Sequence, residues 1–159
     1  MPTRCSCRQK RGDKVGTTKR GKGTKLVVVG SGKSVPLALT VESAGPSATK
    51  VIEPTLDRPA GEPRSIVMDR EFDSDTFGDR IAARGIDPII PYRRCPVRRL
   101  PKRYDDPQKL LRYKGRWVVE RLFAWLGNFR RLVVRYERKS RMFQAFIHMA
   151  CLLIAARQL

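Results

Sequence analysis

The stretch Tyr113-Lys-Gly-Arg-Trp-Val-Val-Glu120 carries a phenol, a guanidinium and a carboxylate at spacings of three and four residues. Successive residues of a helix turn by about 100°, so Tyr113, Arg116 and Glu120 fall within about 60° of one another. The pattern therefore predicts one helical face that presents all three side chains. A simpler interpretation stays open, because exposed Arg–Glu pairs four residues apart are common and contribute only about 0.2–0.5 kcal/mol.

The residues around this stretch predict two long helices. One runs from about Pro107 to Leu132, and its core side is expected to carry Leu110, Val118, Leu122, Trp125 and Leu126. The other runs from about residue 140 to 157, with a core side of Met142, Phe143, Phe146, Ile147, Ala150, Leu153 and Ile154.

Upstream, the pattern changes to strand, helix and strand. Ser65–Met68 is a short apolar run that ends at Asp69, a helix is predicted over 75–84 with Gly85 after it, and 86–90 reads as a second strand. This order indicates parallel strands joined by a crossover helix, and hence an α/β fold. Ligands of such sheets bind outside the carboxyl ends of the strands, which is where Asp69 lies. An aspartate after a strand also often serves only as a turn or cap residue.

The N-terminal part combines a basic arm with a hairpin. Residues 1–25 are polar and basic, whereas Leu26–Val29 and residues 35–41 predict two strands around Gly30-Ser-Gly-Lys-Ser34. That turn lacks the first glycine of a phosphate-binding loop, and a strand follows it where such a loop needs a helix. Residues 47–56 predict a short helix.

The charge of the chain points to a polyanionic partner. Its 34 Lys and Arg residues against 15 Asp and Glu residues give a formal charge of +19, and nucleic acid is the expected ligand of so basic a protein. The positive charge is concentrated in residues 1–25, 92–104 and 112–141. Candidate DNA contacts in these runs are Lys19, Arg20, Lys22, Arg93, Arg94, Arg130 and Arg131.

The cysteines and apolar runs argue against zinc and membrane functions. The four cysteines form no Cys-x-x-Cys pair, and one histidine adds no zinc set. We expect reduced thiols, with Cys151 in the core. The first 25 residues contain no apolar run typical of a signal peptide, and residues 142–156 are too short and too interrupted for a membrane span.

Asp69 and Glu120 together suggest a metal site. Both are hard oxygen ligands of the kind that Mg²⁺ prefers, and they lie among cationic residues. Two-metal phosphoryl transfer normally takes at least three carboxylates, and the sequence offers two. Glu71, Asp73 and Asp75 follow the strand and are expected to be supporting or solvated residues.

Two blocks of the chain resemble the DDE-type transposases of bacterial insertion sequences, in the large group related to insertion sequence "five". They are Asp69-Arg-Glu-Phe-Asp-Ser-Asp75 and Arg116-Trp-Val-Val-Glu-Arg-Leu-Phe-Ala-Trp-Leu126, the latter followed by Arg130-Arg-Leu132 and Arg135-Tyr-Glu-Arg138. The resemblance extends from about Gly12 to Leu159 and includes residues 13–25, 35–39 and 86–91.

The resemblance implies an RNase H-like core, a mixed sheet with flanking helices, that occupies residues 26–159 and is incomplete at its N-terminus. It implies DNA cleavage and strand transfer at element ends with Mg²⁺ or Mn²⁺. Asp69 and Glu120 would be the catalytic metal ligands, supported by Tyr113 and Arg116. The implied partners are double-stranded DNA and an upstream reading-frame product or fused full-length transposase, in the cytoplasm near the nucleoid.

Two positions depart from the family pattern. The first catalytic aspartate is expected where this chain has Thr3, with no acid before Asp13, and a lysine of the signature is replaced by Gly127. We therefore expect the second frame of a frameshifted gene or the product of a decayed copy, poorly folded and inactive alone. A non-catalytic DNA-binding fragment is the alternative, and a basic ribonucleoprotein component is a third, less favoured one.

Overall fold

A computed structural model describes the chain in two compact units. The described residues are 7–8, 12–18, 21–57, 63–92 and 106–158. Of these, residues 63–92 and 106–117 form the first unit, and residues 7–57 and 118–158 contribute to the second.

The secondary structure is mixed α and β, as the sequence predicts. The strands are β1 (Cys7–Arg8), β2 (Gly16–Thr18), β3 (Gly21–Gly30), β4 (Pro36–Ser43), β5 (Ser65–Val67) and β6 (Asp87–Ile89). The helices are α1 (Ala48–Leu56), α2 (Asp75–Ala83), α3 (Pro107–Tyr113), α4 (Trp117–Gly127), α5 (Arg130–Val133) and α6 (Ser140–Ala156). Single 3-10 turns occupy Arg70–Phe72 and Lys114–Arg116.

The sheet of the second unit is built on β3. This strand pairs antiparallel with β4 from Thr24↔Ser43 to Gly30↔Pro36, so the predicted hairpin is confirmed. β3 also pairs with β1 and β2 at its N-terminal end. It begins at Gly21, so residues 21–25, which the sequence assigns to the basic arm, are strand residues. Backbone pairing on both edges holds this polar segment in the sheet although it lacks apolar side chains.

Helix α6 covers this sheet with the core side that the sequence predicts. Phe143, Ile147, Ala150 and Ile154 are buried against residues of β3, β4 and α4, and Cys151 joins them. Burial raises the pKa of the Cys151 thiol to about 11. Met142 and Leu153 were also expected in the core, and this is wrong because they lie on the other side of α6, about half exposed.

The predicted single helix from Pro107 to Leu132 is also wrong. The chain forms α3, a 3-10 turn, α4 and the short α5 in its place. Gly115 lies in the 3-10 turn, and α4 ends at Gly127. Glycine costs a helix about 1 kcal/mol relative to alanine, which favours breaks at these two points. Leu110 in α3 is exposed, not part of a core.

The first unit contains the predicted parallel pair. β5 and β6 pair from Ser65↔Asp87 to Val67↔Ile89, with α2 as the crossover helix between them. Gly85 ends α2 at a φ of +76°, the left-handed conformation expected after a helix. The Nζ atom of Lys109 in α3 lies 2.8 Å from Oδ1 of Asp87, which ties α3 to the start of β6.

A buried arginine fastens the start of α6 within the second unit. Arg135 donates to Oγ1 of Thr24 at 2.7 Å, to Oδ1 of Asp13 at 3.2 Å, and to the carbonyl oxygens of Glu137 and Arg138 at 2.9 and 3.1 Å. Its guanidinium also lies 5.5 Å from the centre of the Phe143 ring. In the part of the chain described above, no helix has both the length and the hydropathy to cross a bilayer.

Candidate functional site

Asp69 lies just beyond the C-terminal end of β5, which ends at Val67, one residue earlier than the sequence predicts. Its Oδ1 atom accepts a hydrogen bond from the backbone N–H of Arg70 at 2.7 Å, so the carboxylate also caps the 3-10 turn that follows. The Asp69 side chain retains 15% of its exposure. The cap therefore coexists with an accessible edge of the carboxylate.

Tyr113 and Arg116 meet Asp69 in the first unit. The Tyr113 hydroxyl donates to Oδ1 of Asp69 at 3.3 Å, and Nη1 of Arg116 lies 3.4 Å from the same atom. Nη1 of Arg116 also donates to the Tyr113 hydroxyl at 2.9 Å. The predicted proximity of Tyr113 and Arg116 is present, although a 3-10 turn produces it by eclipsing residues i and i+3.

The surroundings of this cluster act on the pKa values of Asp69 and Tyr113. Partial burial acts to raise the pKa of Asp69, whereas the Arg70 amide and the Arg116 charge act to lower it. Burial raises the pKa of Tyr113, with Arg116 opposing this shift and Asp69 adding to it. The cluster thus presents an ionised carboxylate beside a neutral phenol and a guanidinium, a set suited to binding a cation or a phosphate oxygen.

Glu120 lies in the first turn of α4 and is exposed. It belongs to the second unit, whereas Asp69 belongs to the first. The expectation that the two carboxylates share metal ions therefore stays a prediction.

Asp13 is engaged at the start of α6. Its Oδ1 accepts from the backbone N–H of Ser140 at 2.6 Å and from Arg135, and its Oδ2 accepts from the Ser140 hydroxyl at 2.6 Å. The hydrogen bond from the Ser140 hydroxyl is the largest cause of a lowered Asp13 pKa, which desolvation opposes. Both oxygens thus hold the N-terminus of α6.

The other acids whose positions the structure describes form no grouped metal site. Asp73 and Asp75 line a cavity of about 640 Å³ in the first unit, whose wall also includes Asp87, Lys109 and Tyr113. Glu71 is exposed. Across the described residues, no three His, Cys, Asp or Glu side chains are grouped closely enough to hold a metal ion. The carboxylates in place therefore fit only part of a two-metal site.

The structure describes three of the seven candidate DNA contacts. Lys22 is exposed on β3, and Arg130 and Arg131 are exposed on α5. Nε of Arg131 also lies 3.0 Å from Oε1 of Glu137, so this side chain has a structural contact as well. The other four, Lys19, Arg20, Arg93 and Arg94, lie outside the described residues.

Sequence reasoning missed Ser34, Arg121 and Arg135. Ser34 is fully buried and bonds with Arg121, and Arg135 is buried although it carries a charge. The local pattern gives no signal for Ser34, because its two bonds go to residues more than 80 positions away. Arg135 lies in a run of basic residues and could not be told from its exposed neighbours.

Comparison with known proteins shows which family the chain is similar to. A family model described as a transposase DDE domain matches residues 4–155. A Burkholderia cepacia protein, named as a candidate transposase for insertion sequence element IS402, is 32% identical over 142 residues. That alignment covers 83% of this chain and 62% of the relative, so the chain spans less than two thirds of the relative's length. No solved structure matches the chain.

Proposed function

Since the chain belongs to the transposase DDE domain family, we propose that it is the C-terminal part of the catalytic domain of an insertion-sequence transposase with an RNase H-like core. The complete enzyme cuts DNA at the ends of its element and joins the ends to target DNA. The contact of Tyr113 and Arg116 with Asp69 is the observation that carries this proposal. The contact brings together three of the four site residues inferred from the sequence, namely Asp69 at the end of its strand, Tyr113 and Arg116.

Asp69 and Glu120 would hold Mg²⁺ or Mn²⁺ in this site, and the ions would activate a water or a 3′-hydroxyl and stabilise the departing oxygen. Asp69 is suited to this role because it is ionised at neutral pH and lies beside donors that fix its orientation. Arg116 offers a planar guanidinium for the scissile phosphate, and Tyr113 holds that guanidinium through its hydroxyl.

Double-stranded DNA is the proposed substrate, at the element ends and at the target. The formal charge of +19 supports this choice, since each neutralised phosphate releases a counterion and strengthens binding. Lys22, Arg130 and Arg131 are exposed where they can contact the DNA backbone. We place this reaction in the cytoplasm, at the nucleoid.

A third carboxylate ligand has to come from a residue other than Asp69 and Glu120. Position 3 holds threonine, and Asp13 is committed to Ser140 and Arg135. We propose that an upstream reading-frame product, or the same polypeptide made as a longer fusion, supplies the aspartate. The 159-residue chain on its own would then be catalytically inactive.

A gain-of-function substitution tests this proposal. The purified chain is incubated with Mg²⁺ and duplex DNA that carries both ends of its element, and nicking is measured on a sequencing gel. We expect no nicking by the unaltered chain and measurable nicking by Thr3→Asp. Asp69→Asn and Glu120→Gln in the Thr3→Asp background should each abolish it. Robust nicking by the unaltered chain, or nicking that survives both of these changes, would contradict the assigned ligands.

A non-catalytic DNA-binding fragment is the second candidate. The presence of only two candidate ligands among the described residues favours it. The Asp69→Asn, Glu120→Gln double variant should bind duplex DNA as tightly as the parent, or more tightly, because it removes negative charge. If Thr3→Asp stays silent while the parent and the double variant bind DNA alike over a salt titration, the binding function is the correct one.

A further inference from the structure

We infer that Ser34 is a positioning residue for Glu120, because its hydroxyl fastens the β3–β4 turn to the first turn of α4. The inference rests on the proposed role of Glu120 in metal binding. All of the residues involved belong to the second unit.

The Ser34 hydroxyl is shared between two partners on α4. It donates to the backbone carbonyl oxygen of Val118 at 3.0 Å, and it accepts from Nε of Arg121 at 2.9 Å. Ser34 is fully buried, so these bonds form away from water. The two bonds reach Val118, two residues before Glu120, and Arg121, one residue after it. The attachment therefore lies within the same helical turn as Glu120.

The backbone at Ser34 is one that a side chain rarely adopts. Its φ of +63° lies in the left-handed region, where glycine is strongly preferred and other residues are strained. Serine at this position therefore carries a conformational cost that glycine would not. The two hydrogen bonds of the hydroxyl offset that cost.

The turn itself is held by internal hydrogen bonds and lies against α4. Ser31 accepts from the backbone N–H groups of Lys33 and Val35 through its hydroxyl, which fixes the turn from inside. A Cβ atom at Gly30 would lie only 3.2 Å from Cδ2 of Leu122. The attachment point is thus a defined surface and not a loose loop.

The contact lies behind Glu120 on the helix. At about 100° per residue, Val118 and Leu122 lie about 160° from Glu120 and Arg121 lies about 100° from it, so the hairpin contacts sides of α4 that face away from Glu120, which is exposed. A fixed backbone behind an exposed ligand holds the carboxylate in place for a metal without blocking access to it.

Substitution of Ser34 separates positioning from general stability. Ser34→Gly removes the hydroxyl and also relieves the backbone strain, whereas Ser34→Ala removes the hydroxyl and keeps the strain. Both variants are made in the full chain. Ser47→Ala is the control, because Ser47 is exposed and its hydroxyl bonds to Thr49.

The first measurement is amide hydrogen exchange. The Leu122 amide reports on the first turn of α4, since a helical N–H bonds to the carbonyl four residues earlier, here that of Val118. We expect roughly tenfold faster exchange at Leu122 in both Ser34 variants, the effect of one lost hydrogen bond. Exchange at Ile147 in α6 and the urea midpoint of Ser34→Gly should match the parent. Unchanged Leu122 exchange in Ser34→Gly, or equal acceleration at Leu122 and Ile147, would overturn the inference.

The second measurement is Mg²⁺ affinity, read from the Glu120 carboxyl resonance. Ser34→Gly should weaken the apparent affinity several-fold, and Ser47→Ala should leave it unchanged. Equal affinity in Ser34→Gly and the parent would show that the attachment does not serve the ligand. If Mg²⁺ leaves Glu120 unperturbed in the parent, the proposed metal function fails, while the exchange data still decide whether Ser34 holds the turn.

Discussion

Replacement of Arg135 by methionine should destabilise the second unit severely. Methionine keeps much of the side-chain volume but removes the charge and every donor. The guanidinium is fully buried, and it joins Thr24 of β3 to the segment that leads into α6.

The expected loss follows from the partners left behind. Without Arg135, the hydroxyl oxygen of Thr24 and the carbonyl oxygens of Glu137 and Arg138 each lose a donor. Hydrogen bonds from charged groups contribute about 1.5–3 kcal/mol each, and breaking a buried charge network costs about 3–5 kcal/mol. The Asp13 side chain is 54% exposed, so its ion pair adds little. We expect a total loss of about 3–5 kcal/mol, a large part of a typical domain stability.

Urea denaturation of the full chain measures this loss. Arg138→Met is the matched control, because the Arg138 side chain is exposed and only its backbone carbonyl takes part. It should change the free energy of unfolding by no more than about 0.5 kcal/mol. If Arg135→Met is too unstable to fold, Thr24→Val removes one partner of Arg135 together with the bond that the Thr24 hydroxyl donates to the Lys14 carbonyl oxygen, and should cost about 1–3 kcal/mol. A loss below about 1 kcal/mol for Arg135→Met would refute the reasoning.

Three further predictions follow from single residues. The pKa of Asp13 is lowered from 3.8 in the folded chain, so the ionised side chain stabilises the fold fully above that pH, and this stabilisation is lost as the pH falls through the folded pKa. Urea midpoints measured at successively lower pH should show the loss. Asp13→Asn should remove this part of the pH dependence. Met149 and Leu152 are 62% and 71% exposed one turn apart on α6, an apolar surface that favours self-association, so Leu152→Glu should lower the light scattering of concentrated samples while the urea midpoint stays the same, and unchanged scattering would contradict this. Gly12 has a φ of +143°, and a Cβ there would lie 2.7 Å from the Arg138 carbonyl oxygen, so Gly12→Ala should cost about 1–3 kcal/mol in urea. Gly21→Ala, with a φ of +121° and open space around the added Cβ, should cost less, and equal costs would show that the close approach does not matter.

Most of the fold was predictable because local patterns and packing agree. The β3–β4 hairpin, the β5–α2–β6 unit and α6 follow from apolar periodicity and from glycines at the expected ends. These elements bury the residues that their own sequence period selects, so the local pattern was sufficient.

The errors share a physical cause: the residues against which a segment packs cannot be read from the sequence of that segment alone. Met142 and Leu153 have the right spacing for a core, but α6 is apolar on most of its circumference and its sequence does not say which half is buried. The break near Gly115 and the early start of β3 at Gly21 depend on pairing and turn energies that apolar periodicity does not report.

The candidate site was predictable only within one unit. The helical spacing groups Tyr113 and Arg116 with Glu120, and only the family resemblance links them with Asp69, which they contact in the first unit. The roles of Ser34 and Arg135 were not predictable, because each depends on a contact between residues more than 80 positions apart.

Paramagnetic broadening by Mn²⁺ tests the central claim most directly, namely that Asp69 and Glu120 bind the same divalent ions. In the isotopically labelled full chain, the account predicts that amide signals flanking Asp69 and Glu120 broaden together, at Mn²⁺ concentrations that leave the exposed Asp57 unaffected. Broadening at one of the two carboxylates without the other, or at neither before Asp57 responds, would contradict it.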